Sequence, residues 1–301
     1  MSDSLKDFCK KYDKSIAQID IERYGFGKEL RRFAKIPSFF PLRINAHHGI
    51  YMWDKPHPRE YTNSHLAMLV FSESYKEQWD KLSNKPCYVI KHPFLLYKKR
   101  NKIKYEGEEN KGSVFFLVHS STDIDASYDP YEIIEKLKSL PDEFKPVTIC
   151  LYYMDILKDR HLPFIDNGFT CVTAGHMYNT EFIDNFYQIL TNHKYALSNQ
   201  IGSHTFYTLD LGVPFSLIGE EPNHTMPDTL TEYNERENRK IIHVDLLKEL
   251  IGNKLNKENR KEIVVYARNF MGYNSKISNK KIKFILITTT IKYYFKKIIK
   301  F

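Results

Sequence analysis

The sequence predicts an α/β protein of two parallel-sheet units, closed by helices at the C-terminal end. Three observations predict it. Compact apolar runs of strand length are bounded by polar turns, as in strands covered on both faces. These runs alternate with amphipathic stretches of helical period. The alternation halts at a charged stretch, residues 101–113, and then begins again. A chain of 301 residues accommodates two domains of about 100–150 residues. Its 42% hydrophobic and 27% charged residues are those of a folded soluble protein, and 21 Tyr with 20 Phe exclude a disordered one.

The first unit spans residues 1–100. Residues 14–34 have helical character and lead into KIPSFFPLRINAHHGI, where Leu42-Arg43-Ile44 is a short strand ended by the His47-His48-Gly49 turn. HLAMLVFS (65–72) is a buried strand, and Ser72 is placed to cap the helix ESYKEQWDKL. CYVI (87–90) is the next strand, stopped by Lys91-His92-Pro93. After the linker at 101–113, the second unit covers 114–227. VFFLVH, VTICLYY, FTCVTAG, YALSN and VPFSLIG are its strands, with helices over PYEIIEKLKSL, TEFIDNFYQILTNH and SHTFYTLDLG. HLPFIDNG reads as a further helical piece, residues 228–279 as charged closing helices, and 280–301 as a basic amphipathic tail.

The formal net charge of +8 is concentrated in that tail, and setting its seven lysines aside leaves about +1. A nucleic-acid groove is therefore not expected, whereas the tail suits an anionic membrane surface. The N-terminus has no apolar signal core, and no apolar run is long enough to span a bilayer. A cytoplasmic protein, peripheral on the inner membrane face, is the expectation. Cys9, Cys87, Cys150 and Cys171 form no CxxC pair, so neither a zinc site nor a redox motif is expected. The GxxxxGK[ST], GxSxG and HExxH motifs are absent. Asp123-Ile124-Asp125 has the spacing of a Mg²⁺-binding DxD, but an isolated DxD is common by chance, and no metal is expected.

Ligands of parallel sheets bind beyond the carboxyl ends of the strands. The polar residues that follow strands are therefore the candidates. Gly202-Ser203-His204-Thr205 opens a helix, whose first amides and dipole suit a phosphate. Glycine permits close approach, and Ser203 and Thr205 add hydroxyl donors; an ordinary N-cap is the plainer alternative. His119-Ser120-Ser121-Thr122 is a donor-rich loop after a strand, suited to phosphate or ribose, and Gly175-His176 ends a third strand. In the first unit, His47, His48, Asp54 and Glu60 are candidates for a proton-accepting base. Asp155 is read as a helix cap, and Trp53 and Trp79 as packing.

The two units, the His-Gly turn of the first and the G-S-x-T-x-Y-x-x-x-x-G-x-P segment of the second resemble GT-B glycosyltransferases of bacterial surface polysaccharides. The sialyltransferase-like and capsule or lipopolysaccharide transferases are the nearest in look, over about residues 40–225. The resemblance implies two Rossmann-like domains facing across a cleft, with a nucleotide-sugar donor in the second. It also implies a saccharide or lipid-linked acceptor at the first, and inverting transfer without a permanently bound cofactor. The family's His-Pro and Ser-Ser pairs match His92-Pro93 and Ser120-Ser121 in letters, although His92-Pro93 falls in the first unit. The acidic base motif is absent, with His47-His48-Gly49 at a comparable strand end. Polyol-phosphate transfer, sugar-nucleotide epimerisation and a non-catalytic membrane-associated module are the alternatives.

Overall fold

A computed structural model describes residues 2–107, 109–119, 125–225, 240–241 and 244–299. The chain begins with α1 (Ser2–Lys10), a kinked 3₁₀ segment (Asp20–Gly25) and α2 (Phe26–Ala34). The first sheet and its helices follow as β1 (Asn45–Ala46), α3 (Pro58–Thr62), β2 (Met68–Val70), α4 (Glu73–Leu82), β3 (Cys87–Val89) and α5 (Pro93–Asn101). Its three strands are parallel in the order β1-β2-β3, with Ala46 opposite Leu69 and Leu69 opposite Tyr88.

The second unit runs through β4 (Ser113–Phe116), β5 (Asp125–Ser127), α6 (Pro130–Lys138), β6 (Val147–Cys150), α7 (Tyr153–Leu157), α8 (Leu162–Asp166) and β7 (Thr170–Val172). It continues with α9 (Phe182–Thr191), β8 (Tyr195–Ser198), α10 (Ser203–Leu211), β9 (Phe215–Leu217) and β10 (Asn223–Thr225). Helices Val244–Ile251, Lys261–Asn269 and Asn279–Ile299 complete the described chain. The five-stranded sheet is parallel throughout, in the order β7-β6-β4-β8-β9. Taken from β4, connections run outward one way to β6 and β7, then return to β8 and β9 on the other side. The carboxyl ends of β4 and β8 are thus the point where strand order reverses, a natural opening for a ligand. β5 and β10 form a small antiparallel ribbon that the apolar pattern does not signal, since β10 is exposed throughout and β5 buries the small Ala126.

The fold is therefore a mixed α/β arrangement of parallel sheets and helices, compatible with a Rossmann-like unit. One apolar cluster runs from Ile44 and Leu69 of the first unit through Phe94, Phe116, Ala196 and Phe206 to Ile282 and Leu286 near the C-terminus. A second cluster, with Phe115, Ile149 and Leu197, covers the other face of the five-stranded sheet. The two sheets thus share an interior. Asp210, on α10, reinforces this joint: its buried carboxylate pairs with Lys98 of α5 and accepts from Arg268 Nε at 2.8 Å.

The charged stretch at 101–113 packs against the second unit. Tyr105 donates to the Lys194 carbonyl, and Asn110 Nδ2 to that of Thr191 at 2.6 Å. Residues 14–34 are not one helix, because Arg23 and Tyr24 leave helical geometry. All four cysteines are free and buried, and desolvation pushes each thiol up to about 12, which makes them inert packing groups. Among the described residues no helix is long and apolar enough to cross a membrane.

Candidate functional site

The site is built where the first unit leans on the start of α10. Leu197 and Ser198 end β8 beneath the sheet's cover, and Gly202 leads into the helix with extended backbone. Thr205, fully buried, turns its hydroxyl back to accept from the Gly202 amide at 3.2 Å. It closes its own helix turn and leaves no hydroxyl for a ligand. His204 also folds inward, with its ring stacked on Phe116 and Nε2 at 3.0 Å from Ser198 Oγ. Burial first, and then the neighbouring His119, push its pKa down to about 3. His204 is thus uncharged at neutral pH and adds no positive charge to the helix start. What stays open at this helix start are the Ser203 and His204 amides, for which no acceptor is found among the described residues.

The first unit meets this point directly. Ile50 N–H donates to Ser203 Oγ at 2.9 Å. Gly49 fits this approach, because a Cβ there would sit 2.8 Å from that oxygen and displace it from Ile50 N–H. His48 stands beside it, exposed to solvent, with the Tyr24 ring 6.3 Å from its own. Desolvation, then the Arg23 charge, hold its pKa down at about 4. Arg23 Nη1 is 3.5 Å from the His48 ring nitrogens and its Nη2 is 3.2 Å from Asp20, while its buried Nε has no acceptor among the described residues. The Asp20–Gly25 kink aims this guanidinium, and Tyr24 there takes a left-handed φ of 56°. That strain, on the order of 1–2 kcal/mol, is offset by contacts with the second unit. Tyr24 donates its amide to the Met177 carbonyl, sets its hydroxyl 3.2 Å from that of Tyr152, and places its ring edge-on to Phe182.

At the reversal point itself, Asn199 follows β8. Its Oδ1 accepts from Val118 N–H at 3.1 Å, which ties the end of β4 to that of β8. Its Nδ2 is buried and has no acceptor among the described residues. An orphaned buried donor of this kind costs about 1–3 kcal/mol, so an anion or carbonyl received there would be favourable. His119, exposed at the end of the β4 strand, lies with its ring 4.5 Å from that of Tyr152. A chain of contacts links the groups around the reversal point: Arg23 meets His48, the next residues of that turn meet Ser203, Asn199 ties Val118, and Tyr24 meets Tyr152 beside His119.

The remaining candidates lie elsewhere or outside the described residues. Ser120, Ser121, Thr122 and Asp123 are outside them, and of Asp125 only the backbone is described. His47 points into the first unit, stacked on Tyr51 and 3.3 Å from Glu60. Glu60 also accepts from Tyr75 at 2.8 Å and from the His57 amide at 2.7 Å, so both groups hold structure. Asp54 accepts from the Lys240 amide at 2.9 Å. Gly175-His176 is overlaid by α1 and Tyr12, with His176 stacked on Tyr12 at 4.3 Å. His92 caps α5 through its Nδ1 and meets the Tyr207 hydroxyl at 3.2 Å, fully buried. Asp155 is not a cap: it lies within α7 and is paired with Arg160 at 3.1 Å. Trp79 is packing, as expected, with its indole N–H on the Lys85 carbonyl at 2.7 Å.

Sequence reading missed Arg23, Tyr24 and Asn199. Asn199 ends YALSN and was legible as a polar strand-end residue. Arg23 carried no local signal, because its relevance comes from a kink inside a helical pattern. No family model matches the chain, and no curated protein matches it.

Proposed function

We propose that this chain is a glycosyltransferase that moves a sugar from a nucleotide-sugar donor to a saccharide or lipid-linked acceptor. The observation that carries the reading is the convergence at the β4/β8 reversal point of donors with no acceptor among the described residues. These are the α10 amides, Asn199 Nδ2 and Arg23 Nε, whose guanidinium is otherwise held by Asp20, opposite a histidine turn from the other sheet. A diphosphate suits such a set: amides and an amide side chain donate to its oxygens, and the guanidinium adds charge-assisted hydrogen bonds. The GT-B-like division, with the donor on the second unit and the acceptor on the first, is part of the proposal, as are the bacterial surface-polysaccharide setting and inversion at the anomeric carbon.

In this mechanism His48 takes the proton from the acceptor hydroxyl. Its depressed pKa keeps it neutral at pH 7, as a proton acceptor must be. An anionic donor beside Arg23 would offset the guanidinium charge and raise the His48 pKa toward neutrality. The acceptor oxygen then attacks the anomeric carbon as its bond to the donor phosphate breaks, and Arg23 with the α10 amides stabilises the departing nucleotide.

The test is incubation of the purified protein with nucleotide-sugar donors and saccharide acceptors, followed by detection of released nucleotide and extended acceptor. Both products are expected, with His48→Gln lowering turnover by about 10²–10⁴-fold while donor binding persists. Rearranged sugar nucleotide, or transferred polyol phosphate, would move the activity to those chemistries on the same scaffold. No product with any donor would remove the enzymatic reading.

A further inference from the structure

Helix Asn279–Ile299 has two opposed apolar faces. Ile282, Ile285, Leu286, Thr289 and Thr290 are buried against the body. There Thr290 Oγ1 donates to the Pro41 carbonyl at 3.2 Å. Phe284, Ile291, Phe295 and Ile298 recur at spacings of seven, four and three and are exposed, so they line the other side, with Ile287 at its edge half-buried against the core. Phe295 is 60% exposed and Ile298 70%, and beyond Thr290 every described residue except Tyr293 is exposed. Beyond Thr290 the helix touches the body through Tyr293, stacked on His65, and Tyr294, whose hydroxyl accepts from Arg43 Nε at 3.1 Å, while Ile291, Phe295, Ile298 and Ile299 stay exposed.

The charge says what covers it. The helix holds six lysines and no acidic residue. At 100° per residue, Lys281, Lys283, Lys292 and Lys297 fall on either side of the apolar stripe. Two copies joined through this face would set lysine against lysine with no acid to pair. An anionic bilayer offers both what the stripe and what the lysines need: an acyl boundary and negative headgroups. We propose that this face docks the protein on an anionic membrane, with the helix lying in the interface plane and the body held by the opposite face. The docking is independent of the proposed reaction.

The test is co-sedimentation of the full chain with mixed phosphatidylglycerol–phosphatidylcholine vesicles, with pure phosphatidylcholine as the reference. Binding to the anionic vesicles that weakens with salt is expected. Phe295→Ser with Ile298→Ser should lower it at least about tenfold. Lys281→Gln with Lys292→Gln and Lys297→Gln should lower it about a hundredfold, at about fivefold for each lysine. Unchanged circular dichroism and melting confirm that these exposed substitutions leave the fold intact. Absence of binding, equal binding to neutral vesicles, or unchanged binding by both variants would overturn the proposal. So would a vesicle-free dimer in sedimentation velocity that Phe295→Ser dissolves, which would make the face a contact between copies.

Discussion

Two strand-end turns of nearly the same letters meet different fates. At His48-Gly49 the histidine is exposed, and the glycine lets the first unit rest on Ser203. At Gly175-His176 the ring is stacked on Tyr12, its Nδ1 accepts from the Tyr178 amide at 3.0 Å, and Phe8 crowds the glycine. The first turn keeps reactive groups available and the second uses the same groups for cohesion. A strand-end histidine therefore says little until the element packed over it is known.

The contrast is tested most strongly at Gly175. Its φ of 98° strains any side chain, and an added Cβ would press on Asn179 Nδ2 at 2.8 Å and on Phe8 at 3.1 Å. Gly175→Ala should cost about 3 kcal/mol of stability, read as a denaturant midpoint shift, while the nucleotide response of the folded fraction is kept. Arg23→Ala should do the reverse. Melting without ligand is nearly unchanged, but the affinity for nucleoside diphosphates falls about thirtyfold, or about 2 kcal/mol, in calorimetric titration.

Acid provides the third test. His204 is held at about 3, below its ordinary 6.5, so the unfolded chain takes up a proton as pH falls through 6.5 and the folded chain does not. The stability present above 6.5 is lost as pH drops toward 3. At pH 5 the loss from His204 is on the order of 1–2 kcal/mol. His48, lowered to about 4, acts in the same direction. Melting measured between pH 5 and 7 should flatten in His204→Gln. The smallest effect is expected at Asn199. Asn199→Ala removes the tie to Val118 together with the orphaned donor, for a net change of about 1 kcal/mol in stability and a weaker nucleotide response.

Much of the fold was legible because its strands are buried on both faces. Met68–Val70, Val147–Cys150 and Tyr195–Ser198 are short apolar runs that only a covered sheet uses, and Glu73–Leu82 matches the expected helix. The shared interior was not legible, because residues such as Phe94 and Tyr207 bridge the two sheets across long sequence separations that no local pattern encodes. Their rings stack at 3.7 Å. Of the candidate site, the start of α10 and His48 could be read from strand ends. The inward turn of His204 and Thr205 could not, because it depends on the Phe116 ring and on the helix's own first turn. The Tyr24 kink likewise depends on the second unit, which lies far along the chain.

The central claim is that the reversal point between β4 and β8 receives an anion gripped by Arg23 and the first amides of α10. It is tested most directly by following the His48 imidazole resonance by NMR across pH, with and without a nucleoside diphosphate. The account predicts that the ligand raises the His48 pKa from about 4 and that Arg23→Ala raises it without ligand, with His176 unmoved by either. A His48 pKa that stays the same when saturating nucleotide is added, or no nucleotide binding at all, would contradict it.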